Sequence, residues 1–154
     1  MPRRIAAGNW KMNGTQAALS ELASIAAAAG DVSCTTILCP PTTLLQAAVQ
    51  SSGSLAIGGQ NCHHEATGAH TGDVSAQMLA DVGAQYVIVG HSERRNSYAE
   101  SDALVQAKAR AVLSAEITPI ICIGESIEQR ESGETISVIS TQLSASLPTE
   151  AQIV

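Results

Sequence analysis

The chain contains no phenylalanine, and Trp10, Tyr86 and Tyr98 make up its entire aromatic set. A surface that stacks unpaired bases on aromatic rings needs more than this. Cations are scarce too: eight Lys and Arg stand against fourteen Asp and Glu, for a formal net charge of −6. Phosphate backbones recruit clustered positive charge, so a nucleic-acid interface is excluded. No apolar run approaches the ~20 residues of a membrane-spanning helix. The opening Met1-Pro2-Arg3-Arg4-Ile5 lacks the apolar core of a signal peptide. None of the four cysteines, Cys34, Cys39, Cys62 and Cys122, stands in a CxxC pair. Each lies in or beside an apolar run, where a free thiol behaves as a small hydrophobe. The expectation is a reduced, cytoplasmic protein with no membrane association.

Hydrophobic residues make up 45% of the chain, which excludes a disordered linker. The 154 residues suit one domain, 1–154, and no shift of composition divides them. Short apolar runs alternate with longer stretches of helical period. The runs are Ile5–Gly8, Thr36–Cys39, Leu55–Gly58, Tyr86–Gly90 and Pro119–Gly124. Without polar alternation, they read as strands buried on both faces. Between them, Leu19, Leu22, Ile25, Ala26 and Ala29 share one helical face. So do Leu104, Ala107, Ala111 and Ala115, and again Ile136, Ile139, Leu143 and Leu147. A weaker helix is expected over 42–50 and a short one over 75–81. This is a βα alternation with a parallel sheet: five complete units and the start of a sixth strand at 151–154.

The chemistry-bearing residues follow the strands. In a βα sheet, the residues just past the strand C-termini line the functional face. Gly8-Asn9-Trp10-Lys11-Met12-Asn13 follows the first strand, and Lys11 there suits an anionic substrate or a developing oxyanion. It reads equally as a solvated lysine. Gly90-His91-Ser92-Glu93-Arg94-Arg95 follows the fourth, placing His91 for proton transfer or for donation to a carbonyl. A structural histidine and an ion-paired turn are the plain alternatives. Glu125, after the fifth strand, reads as a loop tether or as a site carboxylate. The segment Gln60–Asp73 is longer than an ordinary βα loop, which marks it as functional or interacting. It carries Cys62, His63, His64, Glu65 and His70, but their spacing matches no standard metal site, because adjacent histidines usually point apart. No metal and no cofactor are expected.

Taken in order, these motifs resemble triosephosphate isomerase. They run Gly8–Asn13, Cys39-Pro40-Pro41, Gly59-Gln60-Asn61, Gly68-Ala69-His70-Thr71-Gly72-Asp73, Gly90–Arg95, Glu100-Ser101-Asp102 and Cys122-Ile123-Gly124-Glu125, across the whole chain. The resemblance implies that Asn9 and Lys11 bind substrate. It implies that His91 polarises the substrate carbonyl and that Glu93 is a supporting carboxylate. It places His70, Thr71 and Gly72 at an interface, with Thr71 reaching into a neighbouring subunit. The resemblance also implies the pairing of a glutamate base with a neutral histidine. The chain departs from the pattern at His70, usually an aromatic, and at Asp73, usually Glu. The family is a (βα)8 barrel of about 250 residues. Its base lies in a motif like Tyr-Glu-Pro-Val-Trp-Ala after the sixth strand, which has no counterpart among these residues.

Five or six strands do not reproduce the tilt and shear of an eight-stranded barrel. The arrangement expected first is an open parallel sheet with helices on both faces, Rossmann- or flavodoxin-like. An incomplete barrel arc is the alternative. The function expected is that of a family member inactive as this chain, with triose phosphate bound weakly or not at all, assembled as a homodimer. Two alternatives stand beside it: a half-enzyme active only with a complementary C-terminal fragment, and a metal- or small-molecule-binding module using the 60–74 loop.

Overall fold

The computed structural model of the chain describes residues 4–151. Five strands form one parallel sheet: β1 (Ile5–Asn9), β2 (Thr35–Cys39), β3 (Ala56–Gly59), β4 (Tyr86–Val89) and β5 (Thr118–Ile121). The helices between and after them are α1 (Leu19–Ala29), α2 (Leu45–Ser51), α3 (Ala76–Asp81), α4 (Ser92–Ser97), α5 (Asp102–Ser114), α6 (Ile127–Glu131) and α7 (Thr135–Ser146). The five βα units therefore stand where the alternation places them. The expected sixth strand lies outside the described residues apart from Ala151.

Strand order settles which arrangement the units adopt. It runs β1-β2-β3-β4-β5 with no reversal. Right-handed crossovers that always step the same way put every helix on one side. A doubly wound sheet needs a reversal of direction to place helices on the other face. The packing agrees. One apolar cluster joins Leu38, Ile57, Val87 and Val89 of the strands to Leu22, Leu45, Leu79, Val105 and Val112 of the helices. The second cluster is Ile37, Cys39, Ala56, Tyr86 and Ile88, residues of strands alone. The chain is thus a curled half-barrel, the alternative arrangement, with all helices outside and a helix-free inner face.

Burial on both faces holds for β3 and β4, whose residues are all buried. It fails for β1, at the sheet edge, where Ile5 to Gly8 are exposed. In α5 the buried stripe is Val105, Lys108, Ala109 and Val112, one residue on from the expected Leu104-Ala107-Ala111 face. The charge of Lys108 hides that stripe from a reading by apolar periodicity. In α7, Ile136 and Leu143 remain exposed.

Candidate active site

Parallel strands bring their C-terminal ends to one rim, and the loops leaving that rim enclose a recess of about 460 Å³. Asn9, Lys11, Gln60, His91, Glu93 and Arg94 are among the residues lining it. The register pairs Asn9 with Cys39, and the Trp10 amide donates to the Cys39 carbonyl at 3.1 Å. The chain then turns sharply. Lys11 takes a left-handed backbone conformation (φ 53°), which costs a non-glycine residue on the order of 1 kcal/mol. Two groups hold it there: the Asn9 side-chain oxygen accepts the Lys11 amide at 2.8 Å, and the Gln60 side-chain amide donates to the Lys11 carbonyl at 2.9 Å. The same Gln60 nitrogen donates to the Cys39 carbonyl at 2.8 Å, tying three strand ends together.

His91 caps α4, its Nδ1 accepting the Glu93 amide at 3.2 Å. That bond uses the ring's one lone pair in the neutral form, so the ring proton is assigned to Nε2, which is left as a donor. Gly90, just before it, has a φ of +69°, and a Cβ there would come within 2.7 Å of Val105. Only glycine lets β4 turn this tightly into His91. Lys11 Nζ donates to Glu93 Oε1 at 2.7 Å. That hydrogen bond first, then the charge of Lys11, holds the Glu93 carboxyl below the usual carboxylate range. The structure thus brings Asn9, Lys11, His91 and Glu93 to one recess.

The remaining motif residues are structural clamps. Arg95 donates to the Gly90 carbonyl at 2.7 Å and to the Cys122 carbonyl at 3.1 Å, and it pairs with Asp102. Arg94 and the buried Lys108 both pair with the buried Glu100, and Lys108 also donates to Asn61 at 2.8 Å. Burial alone would raise the Glu100 pKa, but the Lys108 and Arg94 hydrogen bonds outweigh it and leave the carboxyl below its usual range. Glu125 bonds Arg130 at 2.8 Å and Thr135 at 3.4 Å, so the geometry agrees with a tether. Its own backbone amide and Arg130 hold its carboxyl low.

Gln60 has no assigned role in the sequence reading, although its place directly after β3 is the available signal. In the long loop, His70 and Thr71 are exposed, and Gly72 and Asp73 reach the recess. Here one expectation is corrected: the adjacent His63 and His64 do not point apart. Their rings stack with centroids 4.4 Å apart, and His70 stacks on His63 at 3.9 Å.

A family model described as triosephosphate isomerase matches residues 4–153. The triosephosphate isomerase of Ruegeria pomeroyi is 55% identical over 150 residues, covering 96% of this chain and 60% of that protein. That of Hyphomonas neptunium is 53% identical over 156 residues, covering 99% and 63%. The crystal structure of triosephosphate isomerase from Bartonella henselae superposes with a TM-score of 0.92 at 46% identity, covering 97% of this chain and 63% of that one. The chain spans about three-fifths of the length of these relatives. On this likeness, sustained over nearly all of its residues, the chain belongs to the triosephosphate isomerase family.

Proposed function

We propose that the recess is the electrophilic and substrate-anchoring half of an aldose–ketose isomerase site for triose phosphates. One observation carries this: His91 presents an Nε2 donor beside a lysine ammonium at the strand ends. An Nε2–H bond to the substrate carbonyl stabilises the charge that grows on that oxygen as the neighbouring carbon loses its proton. Lys11 supplies positive charge to the same anion, and Asn9 and Gln60 hold Lys11 in place. Glu93, paired with Lys11, is the supporting carboxylate of the site.

Proton abstraction is not provided by these groups. A base works best with a pKa near the operating pH, and Lys11 pulls Glu93 away from it. The chain alone is therefore expected to turn over no substrate. Assaying interconversion of glyceraldehyde 3-phosphate and dihydroxyacetone phosphate tests this, with His91→Ala as the control. Turnover by the chain alone that disappears in the control would defeat the inactivity. A second chain supplying the remaining βα units of a relative is expected to restore turnover, and mixing without gain would defeat the half-site reading.

Resemblance further supports a homodimer joined through the loop tip at His70, Thr71 and Gly72, and a cytoplasmic, glycolytic setting. Among the described residues, no helix is long and apolar enough to cross a membrane.

A further inference from the structure

We propose that Arg95 is a positioning residue for His91, keeping the imidazole a fixed Nε2 donor by pinning the peptide that precedes it. Arg95 stands in α4, the short helix that His91 caps. Its amide donates to the His91 carbonyl at 3.0 Å, and its side chain folds back to donate from Nε to the Gly90 carbonyl at 2.7 Å. The carbonyls before and after the His91 Cα are therefore both tied to one residue. The ladder between β4 and β5 runs on to the Cys122 amide, which donates to the Val89 carbonyl at 3.0 Å. Past that bond the guanidinium itself joins the two strand ends, since its Nη2 donates to the Cys122 carbonyl at 3.1 Å.

The fork is held from behind as well. Asp102, at the start of α5, pairs with Arg95, and Nη2 also donates to the Ser146 hydroxyl at 3.1 Å, at the end of α7. Ser146 is fully buried, and its own hydroxyl donates to Asp102 at 3.0 Å, which keeps the carboxylate turned toward Arg95. Two strand ends and two further helices thus converge on one guanidinium, whose side chain is only 13% exposed. A planar guanidinium offers donors in fixed directions and serves several acceptors at once, whereas an ammonium is a point charge.

Gly90 makes such pinning necessary. Its φ of +69° is open to glycine, but so is the rest of the map, so the next peptide rotates unless its carbonyl is held. A Cβ at Gly90 would stand 3.0 Å from Arg95 Nη2, so the bare backbone is also what admits the guanidinium. Once that peptide rotates, His91 leaves its capping geometry and Nδ1 loses the Glu93 amide, the bond that assigns the ring proton to Nε2. Both neutral tautomers are then populated, and the Nε2–H donor is present only part of the time. The purpose of this positioning rests on the isomerase reading, but the state of the ring is measurable without turnover.

Nitrogen-15 spectra of the histidine rings, taken where imidazole is neutral and with His91 assigned through His91→Gln, are the test. The parent is expected to show one fixed His91 tautomer, protonated at Nε2. Arg95→Lys keeps a charge opposite Asp102 but loses the fork, and is expected to show ring nitrogens averaged between tautomers. Asp102→Asn and Ser146→Ala remove the outer supports and leave the bonds to Gly90 and Cys122. They are expected to lower the unfolding temperature and to keep the parent's signature. A fixed Nε2–H tautomer in Arg95→Lys, averaged nitrogens already in the parent, or equal loss of the signature in all three variants would overturn the proposal. The Arg95 Nε–H of the parent is expected to exchange slowly with solvent, and exchange at the rate of free arginine would overturn it even if Arg95→Lys does not fold. Where a complementary chain restores turnover, Arg95→Lys is expected to lower kcat about tenfold or more with KM held within about twofold. A rise in KM alone would overturn the positioning. No turnover with the parent's tautomer intact would instead defeat the half-site reading and leave the positioning supported.

Discussion

Glu100 is the most consequential single residue away from the recess. Its carboxylate is buried and accepts from Arg94 at 2.6 Å and from the buried Lys108, while its other oxygen has no partner among the described residues. Removing one member of a buried ion pair leaves an uncompensated charge, a loss of about 3–5 kcal/mol. Glu100→Gln is expected to destabilise by about 3 kcal/mol in urea unfolding, and a change below 1 kcal/mol would show that Lys108 finds other partners. The pH dependence follows from the lowered pKa. The folded state binds the Glu100 proton more weakly than the unfolded state, whose value is about 4.3. The pair's stabilisation is therefore complete above that value and is lost as pH falls through the folded value. Thermal scans on acidification should show the parent losing more stability than Glu100→Gln; parallel curves would contradict this.

The thiols divide at the same scale. Cys39 is pushed up to about 12, by burial first and then by the nearby Cys122, and Cys62 to about 11, mainly by burial. Burial raises Cys122 as well. The thiolate is the reactive form, so these three stay inert near pH 8. Ellman's reagent is expected to label Cys34 alone at a fast rate in the folded chain. Rapid labelling of two or more thiols would show that the inner face opens.

At the scale of elements, α6 shows how a short helix survives exposure. Its five residues bury nothing, but Ser126 and Gln129 form a reciprocal capping box. Each bond satisfies an amide that the first turn leaves without a partner. Ser126→Ala should cost about 1 kcal/mol and fray 127–131 first, read as faster amide exchange there. Uniform exchange across the chain would instead mean that the segment unfolds only globally. The neighbouring α5 depends on packing rather than capping. Its Val105, Ala109 and Val112 lie against the strands, and its Lys108 reaches the Glu100 pair.

For the molecule as a whole, a half-barrel leaves strand edges, and an open edge pairs readily with another chain. β1 presents exposed residues at one side of the sheet, and the His64–Asp73 loop stands exposed at the strand-end rim. Two substitutions separate the possible contacts. If the loop tip joins two copies, Thr71→Arg is expected to give a monomer in light scattering, and Ile5→Lys to leave the dimer intact. The reverse pattern would assign association to the β1 edge.

The alternation of strand and helix was readable in the chain because it depends on near neighbours. Uninterrupted apolar runs such as Tyr86–Val89 belong to strands covered on both sides, and the Leu22-Ala26-Ala29 spacing belongs to a helix lying on them. The placement of Lys11 and His91 directly after strands was readable for the same reason, since parallel strands put their C-terminal ends on one rim. Other features depend on residues far apart in the chain. Whether helices lie on one face or two turns on strand order, which no local pattern encodes. The buried stripe of α5 includes a lysine that Glu100 and, 47 residues away, Asn61 make tolerable. The stacking of His63, His64 and His70 arises only when the loop closes on Ser75. Local periodicity reports which elements form, while topology and long-range pairing set which side chains meet.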